Sequence, residues 1–87
     1  MSAATQVYYD SFDAVLFRLT PAMRARVEAE IDRMGASLST YSHHRLKGSN
    51  RFRARVGDYR IIYTFDLERN ILHLLGLGHR REIYRAT

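Results

Sequence analysis

Residues 51–56 read "RFRARV", and this hexamer constrains the fold more tightly than any other stretch of the chain. Arg51, Arg53 and Arg55 alternate with Phe52, Ala54 and Val56. Successive side chains of a β-strand point to opposite faces, so the hexamer has one guanidinium face and one apolar face. The apolar face needs a covering layer. The cationic face has to stay outside it.

The rest of the chain supplies a sheet and a cover. "GD" (57–58) reads as a turn, "YRIIYTF" (59–65) as a second strand, "DLERN" (66–70) as another turn and "ILHLLGLG" (71–78) as a third strand. Turns this short join antiparallel neighbours. Near the N-terminus "TQVYY" (5–9) is β-branched and aromatic, a short first strand. Phe12, Val15, Leu16 and Leu19 then fall at i, i+3, i+4 and i+7, one helical stripe with Asp10 or Ser11 as its cap. Thr20 and Pro21 open a second helix, threonine as N-cap and proline where a missing N–H costs nothing. Met23, Val27, Ile31 and Met34 form its apolar stripe, and Gly35 is the expected stop. "ASLSTYSHHRLKGSN" (36–50) reads as a polar connecting loop. The expectation is one α+β domain over residues 1–87, in the order β-α-α-β-β-β. Its N-terminal helical hairpin packs on one face of a small, antiparallel-dominated sheet, and the arginine row lies on the other face.

Charge is distributed to match. Residues 1–44 carry four Arg against five acids, whereas residues 45–87 carry nine Arg and one Lys against four acids. A basic half beside a near-neutral half points to a polyanionic partner. The absence of cysteine excludes disulfides, thiolate nucleophiles and cysteine zinc sites. No apolar run approaches the roughly 20 residues that span a bilayer, and "MSAATQ" lacks the features of a signal peptide. A cytoplasmic protein without membrane contact is the expectation.

Arg60 and Arg80 extend the cationic set, the first just after the 57–58 turn and the second just after the third strand. With adjacent strands, Arg53, Arg55, Arg60 and Arg80 are expected to converge in a groove, where guanidinium forks stabilise charge on a phosphodiester. His79 adjoins Arg80, and Tyr84 follows as a ring that can stack on a base. His43, His44 and His73 lack metal-ligand spacing, so neither a metal nor a cofactor is expected.

The stretches "RLKGSNRFRARVGDYRIIYTF" and "LGLGHRREIY" resemble the RelE/ParE toxin superfamily of bacterial and archaeal toxin–antitoxin pairs, the RelE branch above all. The match rests on "LKG", "RARVGDYRIIY" and "GHRREIY", from about Leu46 to Tyr84. The resemblance implies the β-α-α-β-β-β fold. It also implies a ribosome-dependent mRNA interferase, an endoribonuclease cutting by attack of a ribose 2′-OH without metal. By position Arg60 is implied to contact phosphate, Arg80 to protonate the leaving group or stabilise its charge, and Tyr84 to stack on or orient the nucleotide. Arg51, Arg53 and Arg55, with Arg45 and Lys47 upstream, are the expected RNA-binding set.

Arg53 and Arg55 stand where the type member has lysines, and arginine does not give up its proton. The general base is therefore left among His79, Tyr84 and the ribosome. The partners implied are ribosome, mRNA and a cognate antitoxin, acidic or amphipathic and partly disordered alone. Two other readings share the fold: a ParE-type DNA gyrase poison, and a non-catalytic nucleic-acid-binding member.

Overall fold

The computed structural model describes residues 2–83. Its elements are β1 (Thr5–Tyr8), α1 (Asp10–Leu16), α2 (Pro21–Ala36), β2 (His44–Arg45), β3 (Phe52–Val56), β4 (Tyr59–Asp66) and β5 (Ile71–His79). They form a five-stranded sheet in the order β1-β5-β4-β3-β2. The hairpins from β2 to β5 are antiparallel, whereas β1 runs parallel to β5. The expected architecture is present. One further element, β2, lies in the segment whose sequence reads as a loop.

The second helix forms as its sequence demands. Thr20 Oγ1 accepts the Met23 N–H at 3.2 Å, and Pro21 occupies the first turn. Val27, Ile31 and Met34 are fully buried. Each such burial contributes on the order of 1.5–3 kcal/mol, more than local helix propensity supplies. Gly35 does not stop the helix, which continues to Ala36. It is buried instead, and its carbonyl accepts the Ala4 N–H at 2.9 Å where the chain enters β1.

The first helix differs from expectation at both ends. Tyr9 stands at its cap without a side-chain bond, and the Ser11 hydroxyl donates to the Leu75 carbonyl on β5. The helix ends at Leu16, so Leu19 enters the core from the connection between the helices. Phe12, Leu16, Val27 and Ile31 meet Val56, Ile61, Leu72 and Leu74 in one core on the helix side of the sheet.

One irregularity decides which side chains share a face. Along β4 and β5, Ile62 stands opposite Gly76 and Tyr63 opposite Leu74, which leaves Leu75 without a partner. This is a β-bulge, and one extra residue exchanges the two faces for everything beyond it. Leu72 and Leu74 face the helices before the bulge, and Leu77 faces them after it. Gly76 and Gly78 are thereby turned to the open face. Among the described residues no helix is long and apolar enough to cross a membrane.

Candidate functional site

Side chains directly opposite one another on neighbouring strands share a face. Arg53 pairs with Ile62 and with His44, and Arg55 pairs with Arg60. Ala54 and Val56 are buried on the helix side, so the arginines occupy the open face. Gly57, at φ +58°, makes the hairpin turn between β3 and β4 in a left-handed conformation that suits glycine. That turn fixes the register that sets Arg55 against Arg60.

Arg60 is only 7% exposed. One of its Nη atoms donates to the Tyr59 carbonyl at 3.2 Å. Opposite it on β5 lies Gly78, and the Ile83 side chain rests over that glycine. A Cβ on Gly78 would sit 3.1 Å from Ile83 Cδ1 and 3.2 Å from its Cβ. Residues 79–83 therefore fold back over the open face, and a side chain at Gly78 would require Ile83 to give by a few tenths of an ångström. The turn is tied by the Glu82 and Ile83 amides, which donate to the His79 carbonyl at 2.8 and 2.9 Å. Ile83 is 8% exposed and walls the open face beside Arg60.

Arg80 sits at the β3–β4 end of the sheet. Its N–H donates to the Asp58 carbonyl at 2.8 Å, and its Nε lies 3.9 Å from the Asp58 carboxylate. The guanidinium is exposed, at the same end as Arg55 and Arg60.

His79 is not among them. It pairs with Tyr59, with ring centroids 5.7 Å apart, on the helix side of the sheet. The bulge at Leu75 is the cause, since it exchanges the faces of the residues after it. The His79 Nδ1 accepts the Arg81 N–H at 3.3 Å, which makes the ring part of the turn. The grouping of His79 with the arginines is thus corrected. Tyr84 lies outside the described residues.

The upstream basic residues are spread along the rim. Arg51 is exposed just before β3, and Lys47 is exposed in the turn after β2. Arg45 lies opposite Phe52, its guanidinium 5.3 Å from that ring, and so faces the helix side. The structure brings together Arg53, Arg55, Arg60 and, at the same sheet end, Arg80. It does not bring Arg45 or His79 to that face.

The helix side holds a polar cluster that the sequence does not single out. His43 stacks on Phe65 at 4.0 Å between centroids, with Nε2 2.7 Å from the Leu38 carbonyl and Nδ1 2.6 Å from the Tyr63 hydroxyl. A carbonyl only accepts, so Nε2 carries a proton; burial raises the Tyr63 pKa, so in the neutral ring Nδ1 accepts from the hydroxyl. Nearby, Arg33 donates to Glu30 at 2.6 Å and the Tyr41 hydroxyl donates to Glu30 at 2.5 Å. Burial acts to raise the Glu30 pKa, but these hydrogen bonds outweigh it and leave the carboxyl below its ordinary value. Tyr41 is pushed up to about 12 by burial and by its bond to Glu30. These contacts fasten Tyr41 to α2 and His43 to the sheet. Among the described residues no group of three or more His, Asp or Glu side chains could hold a metal.

Two features of the open face are not apparent from the sequence. "GLG" at 76–78 is too short for a nucleotide fingerprint, yet glycines two apart on a strand signal a close approach on one face. Tyr9 reads only as a strand residue. It is 43% exposed on this face, beside His73.

Comparison with known proteins agrees with the fold. Residues 6–84 match the family model described as the ParE toxin of type II toxin–antitoxin system, parDE. Comparison with curated proteins finds no match. Among solved structures, the chain is similar to one in the RelBE2 toxin–antitoxin complex from Mycobacterium tuberculosis, at 25% identity and TM-score 0.73, covering 94% of this chain and 97% of that one. It is similar in fold to the archaeal RelE–RelB complex from Pyrococcus horikoshii, at 22% identity and TM-score 0.76, covering 93% and 99%. The intact RelBE complex of E. coli shares the fold at 14% identity and TM-score 0.76, over 88% and 96%. The chain belongs to the RelE/ParE superfamily of type II toxin–antitoxin toxins, through the ParE toxin family whose model spans nearly all of it.

Proposed function

We propose that this toxin is an endoribonuclease that cuts messenger RNA on the ribosome and is held inactive by a cognate antitoxin. The observation that carries the reading is Arg55 opposite Arg60, with Arg60 sunk into the open sheet face. Like charges directly opposite one another destabilise a sheet, and a bound anion relieves that cost. A phosphodiester is such an anion, and guanidinium forks match its oxygens. Arg60 would hold charge on the non-bridging oxygens, with Arg80 at the leaving oxygen. Arg51, Arg53 and Arg55, with Lys47 on the rim, would hold the flanking strand. Tyr84 would orient the nucleotide.

The nucleophile is the ribose 2′-OH. Its oxygen forms a bond to phosphorus, the bond from phosphorus to the 5′ oxygen breaks, and that oxygen takes up a proton. The products are a 2′,3′-cyclic phosphate and a free 5′-OH, and the chemistry needs no metal hydroxide. With His79 on the helix side, the proton acceptor falls to Tyr84 or to the ribosome. The antitoxin would be an acidic or amphipathic segment that folds across the open face. This partner is supported by the RelB–RelE complexes whose toxins share the fold.

A translating extract tests the proposal. Added toxin should stop amino-acid incorporation, and mapping of 5′ ends should reveal cuts inside codons that bear free 5′-OH groups. The matching family model is that of ParE toxins, which favours gyrase poisoning as the second reading. Loss of DNA supercoiling with translation intact would put that reading first.

A further inference from the structure

We propose that Tyr9 forms a stacking platform for a nucleobase, at a cleft beside the arginine row. The proposal rests on the ribonuclease reading and adds a base-binding subsite to it.

The cleft measures about 480 Å³ and is lined by Tyr9, Arg51, Ile62, Leu75, Gly76 and Ile83 among others. Its floor is low because Gly76 has no side chain, and the bulge at Leu75 turns that glycine to this face. Ile62 is one apolar part of the lining, with Leu75, Leu77 and Ile83, and it pairs directly with Arg53. Arg51 stands exposed at the rim. The occupant therefore has to be flat and apolar on its faces, and attached to negative charge.

Tyr9 is held as a rigid platform would be. Its N–H donates to the Leu74 carbonyl at 3.0 Å, and its carbonyl accepts the Phe12 and Asp13 amides at 2.9 and 3.0 Å. Its hydroxyl lies 3.3 Å from His73 Nδ1, and the two rings meet edge to face. The ring is thus fixed at both ends while much of its surface faces solvent. An aromatic ring ordered before binding loses little entropy when a base stacks on it.

Spacing favours a nucleobase over other flat groups. Ile62 lies two residues along β4 from Arg60, roughly 7 Å at the usual strand rise. That is close to the distance from a phosphate to the base of its own nucleotide. A phosphate between Arg55 and Arg60 thus leaves its base within reach of the cleft. Charge complementarity comes from Arg51 and Arg53, and the aromatic surface from Tyr9.

The test uses the full-length toxin and a 2′-O-methylated hexaribonucleotide that cannot be cut. A matched set has one base removed at each position in turn. Wild-type protein should bind the intact strand about tenfold more tightly than one member of the set, the worth of a single stacked base. Tyr9→Leu keeps apolar bulk and should abolish that difference without changing the salt dependence, since every phosphate is still held. Tyr9→Phe keeps the ring and should preserve it. Equal binding of intact and abasic strands by the wild type overturns the subsite, even where mRNA cleavage in the extract stands. So does a Tyr9→Leu protein that weakens antitoxin binding but not RNA binding, because the cleft would then serve the antitoxin. Supercoil poisoning with no cleavage removes the ribonuclease reading and this subsite together.

Discussion

Arg55 and Arg60 stand directly opposite each other on β3 and β4, and Arg60 is the one buried charged side chain among the described residues. On the proposed ribonuclease reading, the pair would divide the labour of the open face. Arg60 is held close against the sheet, where a preorganised charge would act on the transition state of the proposed cleavage. Arg60→Ala should lower the cleavage rate by roughly 2–4 kcal/mol in activation energy, with little change in affinity. Arg53→Ala and Arg55→Ala should weaken RNA binding and reduce the salt slope by about 0.7 for each phosphate left unneutralised. Single-turnover kinetics at two salt concentrations separate the two patterns, and equal loss of affinity in all three variants refutes the division.

His79 faces Tyr59 across the sheet from these arginines, and its Nδ1 accepts the Arg81 N–H. His79→Gln should reduce the rate only through a looser turn. The shape of the pH–rate profile should stay that of the wild type. A limb of the profile that disappears in this variant would make His79 the base after all.

Gly78 leaves room for Ile83, and a Cβ there would lie 3.1 Å from Ile83 Cδ1. Gly78→Ala should displace the turn that carries Arg80 and destabilise the fold by about 1–3 kcal/mol, as overpacking does. Ile83→Val in the same background removes the closest atom and should recover part of both stability and rate. Unchanged melting and kinetics in Gly78→Ala would show that the turn adjusts freely.

Glu30 and Tyr41 couple stability to pH at both extremes. The Glu30 carboxyl is depressed in the folded state, so its contribution is complete above the ordinary carboxylate value of about 4.3 and is lost as pH falls through the lower folded value. Tyr41 is raised to about 12, so its contribution is complete below about 10 and is lost as pH rises toward 12. Urea melts should show Glu30→Gln destabilised at pH 7 and less so at pH 3. Tyr41→Phe should blunt the alkaline loss. A Glu30→Gln deficit that persists unchanged at pH 3 would assign it to packing.

Ile31 is fully buried between α2 and the sheet, in the core that includes Val56 and Ile61. Ile31→Ala should cost roughly 2–5 kcal/mol, a large share of a small domain's stability. Calorimetry should find a lower melting temperature or no cooperative transition, and an unchanged one would contradict the packing.

The parts of the fold legible in the chain are those set by local periodicity. Val27, Ile31 and Met34 repeat at helical spacing and are buried, and the Thr20–Pro21 start reads from two residues. The arginine row reads from strict alternation, because a strand turns each side chain away from its neighbour's face. The family resemblance follows from contiguous motifs. Residues 36–50 read as loop throughout, yet His44 and Arg45 pair with β3, and two residues carry no periodicity to read. Ser11 looks like a helix cap because caps are recognised from local sequence, whereas its partner is Leu75, on β5.

Local geometry thus determined the helix stripes, the two-faced β3 strand and the basic half of the chain, since these depend only on bonded neighbours and spacing. Tertiary structure decided the phase between strands. The extra residue at Leu75 turns Gly76 and Gly78 to the open face and His79 to the helix side, although all three share one strand. It likewise decided that β1 runs parallel to β5, which brings Tyr9 to the edge of the arginine face. Pairing partners are chosen by contacts between residues distant in the chain, and a parallel neighbour leaves no mark within one strand.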